Sequence, residues 1–190
     1  MWQKILVLDE KLAEIFFNFN VAHPVFYKIV GLVSVWLIWA VPLFLVWFWF
    51  KKDAQTALLG FLAGVIGWQI IAKAIGYFWF RARPFTLLPQ QEFLFARPTY
   101  SFPSDHAVFC FALAFYFLLV GYKKEGKWLL VLAVMVSLTR VLANLHYLSD
   151  IVAGGVLGFL LAIIFWKLQA NLEKYLANPI ISVAKKLRLK

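Results

Sequence analysis

Long apolar stretches alternate with short polar connections along most of this chain. A membrane-spanning helix needs about 20 apolar residues, and five stretches reach or approach that length: 29–50, 54–80, 106–122, 128–143 and 151–166. This pattern predicts an all-α integral membrane protein, built as a bundle of about five transmembrane helices. Pro42 lies inside the first stretch and is expected to kink that helix, because proline lacks a main-chain N–H group.

Residues 3–19 follow a different pattern. Charged side chains separate apolar ones that recur near the helical spacing, namely Ile5, Leu6, Leu8, Leu12, Ile15 and Phe16. This arrangement is typical of an amphipathic helix in the membrane interface, with a short helix packed on the bundle as the alternative. We therefore divide one membrane domain into an N-terminal amphipathic interfacial segment (1–27), a transmembrane core (28–170) and a basic tail (171–190).

The composition supports the membrane interpretation. The chain of 190 residues is 64% hydrophobic and 15% charged, with a formal net charge of +10. A soluble domain of this size could not bury so much apolar surface. The basic residues lie between the apolar stretches, so we expect them at a membrane surface and expect no nucleic-acid partner.

The distribution of lysines predicts the orientation. Lys51 and Lys52, then Lys123, Lys124 and Lys127, and finally the basic tail fall on the same side of a five-helix bundle. Positive residues mark the cytoplasmic side, so segments 81–105 and 144–150 are expected to face outward. Two glycine pairs, Gly60 with Gly64 and Gly154 with Gly158, have the spacing that lets helices pack closely.

Polar residues that are costly in a membrane collect at the outward side. They are Arg81 and Arg83 after the second stretch, Ser104, Asp105 and His106 at the start of the third, Arg140 and His146 at the end of the fourth, and Asp150 at the start of the fifth. Because successive helices alternate in direction, these residues are expected to share one face of the bundle.

The residue types in this cluster suit phosphate binding. Arginine presents a charged fork that matches phosphate oxygens, and the N-terminus of the third helix offers free N–H groups to an anion. Ser104 can cap that helix and can donate to a phosphate oxygen. Candidate phosphate ligands are therefore Arg81, Arg83, Ser104 and Arg140.

The same cluster contains groups that could carry catalysis. Asp150 lies four residues after His146, so its carboxylate can hold the second ring nitrogen while the first attacks phosphorus. His106 would protonate the departing oxygen. The chain shows no cluster of carboxylates or cysteines that resembles a metal site, so we expect the arginines to supply the positive charge, with no metal or cofactor.

Three motifs in this region resemble the signatures of the type 2 phosphatidic acid phosphatase superfamily. They are Arg83-Pro84, Pro103-Ser104-Asp105-His106, and Thr139-Arg140 followed by His146 and Asp150. The resemblance covers about residues 73–158. It implies that His146 forms a phosphohistidine intermediate, oriented by Asp150, and that His106 protonates the leaving group. It also implies that Arg83, Ser104 and Arg140 bind the phosphoryl oxygens.

The chain departs from the family pattern at three positions. Thr139 replaces a serine and keeps the hydroxyl group. Asp105 replaces the glycine of the second motif, and the resulting Pro-Ser-Asp-His-Ala is similar to bacterial undecaprenyl-diphosphate phosphatases of the superfamily. The family lysine, seven residues before the motif arginine, falls on Gly76, so Lys73 or Arg81 is expected to replace it.

The resemblance implies a lipid phosphatase. The expected substrate is undecaprenyl diphosphate, converted to undecaprenyl phosphate at the outer face of a bacterial inner membrane. Phosphatidylglycerophosphate, phosphatidate and the 1-phosphate of lipid A are alternative substrates. A protein that binds or moves lipid phosphates without catalysis is a different class of function that the residues leave open, and they do not predict an oligomeric state.

Overall fold

The computed structural model describes residues 2–87 and 100–187, and this part of the chain is helical without strands. Its helices are α1 (Trp2–Ala22), α2 (Pro24–Lys51), α3 (Ala54–Phe78), α4 (Pro84–Leu87), α5 (Asp105–Leu119), α6 (Lys123–Leu142) and α7 (Leu148–Lys167). A last helix, α8, consists of Gln169–Leu172, a π-helical piece Glu173–Ala177, and Asn178–Lys186. The centre of the predicted 81–105 loop and the end of the basic tail lie outside the described residues.

The predicted class of an all-α membrane protein is confirmed. Within the described ranges, α2, α3 and α7 are long and apolar enough to cross a membrane. The other two predicted spans also form helices. Of these, α5 is apolar but only 15 residues long, and α6 has 20 residues with lysines and a glutamate in its first turns.

Pro42 interrupts the α-helical hydrogen bonding of α2 in the turn that precedes the proline. Proline cannot donate to the carbonyl group four residues earlier, which here belongs to Ile38. The segment Leu37–Trp39 is tightened into a 3₁₀ turn, and the α-helix resumes at Ala40. The predicted disturbance therefore takes the form of a short 3₁₀ segment inside one continuous helix.

Helix α5 forms the centre of the bundle, and α3, α6 and α7 pack around it. The glycines of α7 allow the closest approach. A Cβ atom at Gly154 would lie 2.9 Å from the carbonyl oxygen of Ser104, and one at Gly158 would lie 2.7 Å from the main-chain nitrogen of Ala112. This confirms the close packing that the glycine spacing predicts, and it brings the first turn of α7 against the start of α5.

The two ends of the bundle differ in character. At one end, the Tyr122 hydroxyl donates to Asp53 at 3.1 Å and the Gln55 side chain donates to Asn178 at 2.5 Å. These contacts join the α2–α3 turn, the α5–α6 turn and α8, which carry the lysine-rich segments. The start of α5, the end of α6 and the start of α7 lie at the other end, so the bundle has a basic end and a site end.

Helix α1 packs on the site end, which was the alternative interpretation of this segment. Asn144 donates to the carbonyl oxygen of Ala13 and Asn20 donates to that of Leu142, both at 2.8 Å. Apolar side chains on the other side of α1 remain exposed: Val7, Leu8, Ile15 and Phe19. The helix therefore combines a docked polar face with an apolar face that suits a membrane interface.

Candidate active site

The site end of the bundle brings together residues from four parts of the chain. Arg83 follows α3. Ser101 and Ser104 precede α5, and Asp105 and His106 are the first two residues of that helix. Arg140 lies in the last turn of α6, His146 lies in the connection that follows, and Asp150 lies in the first turn of α7. The connection is held by its main chain, because the N–H groups of Leu145 and His146 both donate to the carbonyl oxygen of Arg140. Only 3% of His146 and none of Asp150 is exposed.

The ring of His146 is fixed through both nitrogens. Its Nδ1 lies 2.8 Å from the carbonyl oxygen of Ser101, which can only accept, so Nδ1 carries the proton. Nε2 is then the acceptor for Arg83 Nη1 at 3.0 Å. This tautomer directs the Nε2 lone pair toward Arg83 and leaves that nitrogen unprotonated. Burial lowers the pKa of His146, although Asp150 opposes the shift, so the ring is neutral at pH 7.

Asp150 faces the same ring nitrogen but is not its nearest acceptor. Its Oδ2 is 3.6 Å from Nδ1 of His146, whereas the Ser101 carbonyl oxygen is 2.8 Å away. The same Oδ2 accepts hydrogen bonds from the Ser101 hydroxyl at 2.5 Å and from the Tyr147 N–H at 2.8 Å. The orienting role expected for Asp150 therefore stays a prediction: its carboxylate faces Nδ1 of His146, and Ser101, which no sequence pattern indicates, contacts both residues.

Arg81, an expected phosphate ligand, contacts two carboxylates in the structure. Its two terminal nitrogens bind Asp150 Oδ1 at 2.7 Å and Asp9 Oδ2 at 2.8 Å. The guanidinium carbon lies 3.8 Å from the centre of the Tyr147 ring. Two carboxylates therefore hold Arg81 on the Nδ1 side of the His146 ring, away from Nε2.

Lys73 does not join the cluster either. It lies on the exposed face of α3, where its Nζ is hydrogen bonded to Gln69. The family position, Gly76, has no room for a side chain, because a Cβ atom there would lie 2.2 Å from the ring of Tyr100. The ring of Tyr100 thus occupies the space that a side chain at position 76 would need. Of the two expected substitutes, Lys73 contacts Gln69 and Arg81 contacts two carboxylates.

Asp105 lies near Nε2 of His146 and contacts His106. Asp105 Oδ1 is 2.8 Å from His106 Nδ1 and 4.0 Å from His146 Nε2. The carboxylate therefore stands between the two histidines and accepts a hydrogen bond from His106. This contact leaves His106 Nε2 as the nitrogen that can give a proton to a bound group.

Two buried polar atoms around this space lack hydrogen-bond partners within the described residues: Ser104 Oγ and Arg140 Nε. Ser104 is the N-cap residue of α5, but its hydroxyl makes no capping hydrogen bond, contrary to one of its expected roles. Buried polar groups are nearly always paired. Together with Arg83, these groups fit an oxyanion ligand such as phosphate.

An apolar cavity opens beside these polar groups. It has a volume of about 300 Å³ and reaches Asp105 and His106, while α2 and α3 contribute Ile38, Trp39, Pro42, Leu45, Phe61 and Trp68 to its walls. A second cavity of about 460 Å³ shares Pro42, Leu45 and Phe61 with the first and extends to Ala184 of α8. Together they form an apolar groove that runs from the site end toward the basic end.

Within residues 2–87 and 100–187, no group of three or more His, Cys, Asp and Glu side chains could hold a metal ion. The expected independence of metals is a statement about the reaction, and it stays a prediction.

The helical bundle brings two histidines, two aspartates and the arginines Arg83 and Arg140 around one small space, an arrangement that suits a membrane protein that binds phosphate. The profile of the PAP2 superfamily matches residues 57–174, so the chain belongs to this superfamily and is a lipid phosphatase. This confirms the resemblance that the three motifs indicate.

Three curated proteins are similar to this chain, and two of them carry the name of a phosphatase. The "Bacitracin transport permease protein BcrC" of Bacillus licheniformis is 30% identical over 154 residues, which cover 78% of this chain and 73% of the relative. The "Putative undecaprenyl-diphosphatase YbjG" of Escherichia coli strain K12 is 30% identical over 71% of both chains. An "Undecaprenyl-diphosphatase" of Sulfolobus acidocaldarius is 30% identical over 57% of this chain and 51% of its own. No solved structure matches the chain.

Proposed function

We propose that this lipid phosphatase removes the terminal phosphate of undecaprenyl diphosphate through a phosphohistidine on His146, without a metal ion. The observation that carries the proposal is the fixed ring of His146. Its Nδ1 proton is held by Ser101 at 2.8 Å, and its Nε2 lone pair faces Arg83 at 3.0 Å. The names of two relatives, both undecaprenyl-diphosphatases, support the choice of lipid.

Substrate binding would use the groups that surround Nε2. Arg83, Ser104 and Arg140 provide donors to the terminal phosphate, and the unpaired Ser104 Oγ and Arg140 Nε gain partners there. Arg83 passes its hydrogen bond from Nε2 to a phosphate oxygen, which frees the lone pair for attack. Donors that are already in place before charge develops are the main source of stabilisation in phosphoryl transfer.

In the first step, Nε2 of His146 attacks the terminal phosphorus atom and forms a P–N bond. The bond to the bridging oxygen breaks, and its electron pair stays on the lipid phosphate. His106, protonated on both nitrogens, gives its Nε2 proton to that oxygen while Asp105 holds Nδ1. The products are a phosphohistidine and the lipid monophosphate.

In the second step, His106 accepts a proton from water as the water oxygen attacks phosphorus. The P–N bond breaks, its electron pair returns to Nε2 of His146, and inorganic phosphate leaves. The Ser101 carbonyl oxygen and Asp150 stabilise the positive ring throughout, because both face its Nδ1 proton. Both histidines end in their starting protonation states.

The apolar groove supports a substrate with a long hydrocarbon chain. It begins at Asp105 and His106 and continues past Pro42 and Phe61 to Ala184, so a chain whose phosphate lies near His146 can extend between α2 and α3. Because lipid tails are as apolar as the groove walls, the chain can pass from the bilayer into the groove without exposure to water. A polyprenyl chain uses the full length of such a groove.

Two features support a site that faces the outside of a bacterial inner membrane. The lysine-rich segments lie at the opposite end of the bundle from the histidines, as the positive-inside rule requires for an outward site. Four consecutive aromatic side chains, residues 77–80, are exposed just before Arg81, and aromatic residues mark the level of the membrane interface. The reaction would then occur at the outer interface.

A panel of lipid phosphates tests this proposal. Purified enzyme in detergent is assayed for phosphate release from undecaprenyl diphosphate, farnesyl diphosphate, phosphatidylglycerophosphate, phosphatidate and the 1-phosphate of lipid A, with His146→Ala as the control. We expect the highest kcat/KM for undecaprenyl diphosphate and no turnover by the control. A clear preference for one of the glycerolipid substrates or the lipid A substrate would refute the assigned lipid, and activity in His146→Ala would refute the mechanism.

A further inference from the structure

Asp9 is an unusual residue for an interfacial helix because it is buried. It is 3% exposed, whereas the other charged residues of α1, Lys4, Glu10, Lys11 and Glu14, are exposed. A buried carboxylate is costly unless charges and hydrogen bonds compensate it. The groups that contact Asp9 must therefore compensate the cost of burying its charge.

Asp9 binds two residues of the site end. Its Oδ2 accepts a hydrogen bond from Arg81 at 2.8 Å and one from the Ser149 hydroxyl at 2.5 Å. Its Oδ1 accepts from the Ser149 N–H at 3.1 Å. These contacts connect Asp9 to Ser149, the residue just before Asp150, and to Arg81, which binds Asp150.

Arg81 connects Asp9 with the site. One terminal nitrogen binds Asp9, and the other binds Asp150 Oδ1 at 2.7 Å and the Ser149 hydroxyl at 2.8 Å. A planar guanidinium fork that binds two carboxylates fixes the position of both. The second oxygen of Asp150 lies 3.6 Å from Nδ1 of His146.

We infer that Asp9 is a positioning residue for the nucleophile, acting through Arg81 and Asp150 on His146. Asp9 holds the guanidinium group of Arg81 in the plane in which it binds Asp150, and Asp150 then faces the imidazole in one orientation. The inference rests on the proposed role of His146. It assigns a catalytic task to α1, and it explains why Arg81 is directed away from the phosphate space.

This role differs from merely docking α1, because α1 has separate anchors. Asn20 donates to the Leu142 carbonyl oxygen, and Asn144 donates to that of Ala13. Neither contact involves Asp9 or Arg81. Removal of the Asp9 carboxylate is therefore expected to leave α1 on the bundle while it releases Arg81.

The test compares Asp9→Asn and Asp9→Ala with two controls on the same helix. Glu14→Gln removes an exposed charge, and Asn20→Ala weakens an anchor without touching Arg81. We expect both Asp9 variants to lower kcat by about one to two orders of magnitude, because small misplacements of a reacting group are this costly, while KM changes by less than about twofold. Glu14→Gln retains wild-type kinetics, and Asn20→Ala lowers the unfolding temperature with a smaller loss of kcat than either Asp9 variant.

A double-mutant cycle separates positioning from general damage. If Asp9 acts through Arg81, the variant with both Asp9→Ala and Arg81→Ala loses little more activity than Arg81→Ala alone. Multiplied losses would overturn the inference, and so would wild-type kcat in Asp9→Ala. His146→Ala keeps the two proposals apart: if it is inactive while Asp9→Ala is fully active, only the role of Asp9 fails.

Discussion

The Nδ1 atom of His146 is held by the main-chain carbonyl oxygen of Ser101, 2.8 Å away, and not primarily by a side chain. A carbonyl oxygen cannot donate, so this contact sets the tautomer of the ring whatever residue occupies position 101. The Ser101 hydroxyl has a separate role, since it donates to Asp150 at 2.5 Å. The carbonyl group of Ser101 thus contacts the imidazole directly, whereas its hydroxyl group acts on the imidazole through Asp150.

This division predicts different effects for Ser101→Ala and Asp150→Asn. Ser101→Ala keeps the carbonyl contact and loses only one hydrogen bond to Asp150, so we expect kcat to fall by less than about tenfold. Asp150→Asn removes the negative charge that faces the ring, and losses of about 10²- to 10⁴-fold are expected. Steady-state kinetics on the purified variants measures both, and an equal loss in the two variants would contradict the assigned roles.

The pKa of His146 predicts the acid side of the pH profile. Burial lowers this pKa below the ordinary value of 6.5. The imidazole of His146 in the free enzyme therefore stays neutral as the pH falls through 6.5. The acid limb of kcat/KM therefore lies below pH 6.5. Asp150 raises the pKa, so Asp150→Asn is expected to move this limb to still lower pH.

The lowered pKa of His146 also makes the free energy of unfolding decrease as the pH falls. A histidine whose pKa is lower in the folded protein than in the unfolded chain stabilises the fold fully above pH 6.5, and this contribution is lost as the pH falls through the lowered pKa. Unfolding temperatures of the wild type and His146→Ala between pH 5 and 8 check this. The difference in unfolding temperature between the two proteins should change across the acid range, and a difference that is constant with pH would argue against a neutral buried ring.

Restoring the family lysine is predicted to harm this enzyme. In Gly76→Lys, the new side chain meets the ring of Tyr100, which lies 2.2 Å from the Cβ position. Tyr100 must move, and we expect this to disturb its neighbour Ser101, which contacts both His146 and Asp150. We expect kcat to fall by about tenfold or more and the unfolding temperature to drop. Gly76→Ala is the matched variant with the same Cβ clash but no charge. If Gly76→Lys were more active than wild type, this packing argument would be wrong.

Lys73 and Arg140 are predicted to behave differently as candidate phosphate ligands. Lys73 is exposed and bound to Gln69, so Lys73→Gln should change kcat/KM by less than about twofold. Arg140 is 8% exposed and its Nε lacks a partner among the described residues, so Arg140→Gln should cost about a hundredfold or more, as removal of an oxyanion donor does. Phosphate release from one lipid substrate measures both, and a large loss in Lys73→Gln would restore that lysine to the site.

The motif residues could be predicted because their positions at helix ends are readable from the sequence. Apolar stretches fix where α5 and α7 begin, so Ser104, His106 and Asp150 had to lie at one level. The contact of Asp9 with Ser149 joins residues 140 positions apart, and no local pattern indicates it. The periodicity of α1 suggested an exposed charge at position 9, whereas the tertiary partners Arg81 and Ser149 compensate its burial.

The contacts of Arg81 are hidden in the sequence for a related reason. A basic residue beside a phosphate motif suggests a phosphate ligand, but the sequence does not show that two carboxylates, Asp9 and Asp150, occupy its guanidinium group. Similarly, Gly76 shows that the lysine is absent, but only the structure shows the ring of Tyr100 in its place. The sequence therefore predicts which residues lie at the site end of the bundle, but the contacts among them depend on tertiary packing.

The most direct test of the central claim is to trap the phosphorylated enzyme. Wild type, His106→Ala and His146→Ala are mixed with undecaprenyl diphosphate carrying a radioactive terminal phosphate, quenched within one turnover in alkali, and digested for peptide mapping. The account predicts an acid-labile phosphate on His146 in the wild type, and none in His146→Ala. His106→Ala, which still has the nucleophile but lacks the base for the second step, should turn over slowly and retain a larger share of any label it acquires. Turnover without label on His146, or label on His106 instead, would contradict it.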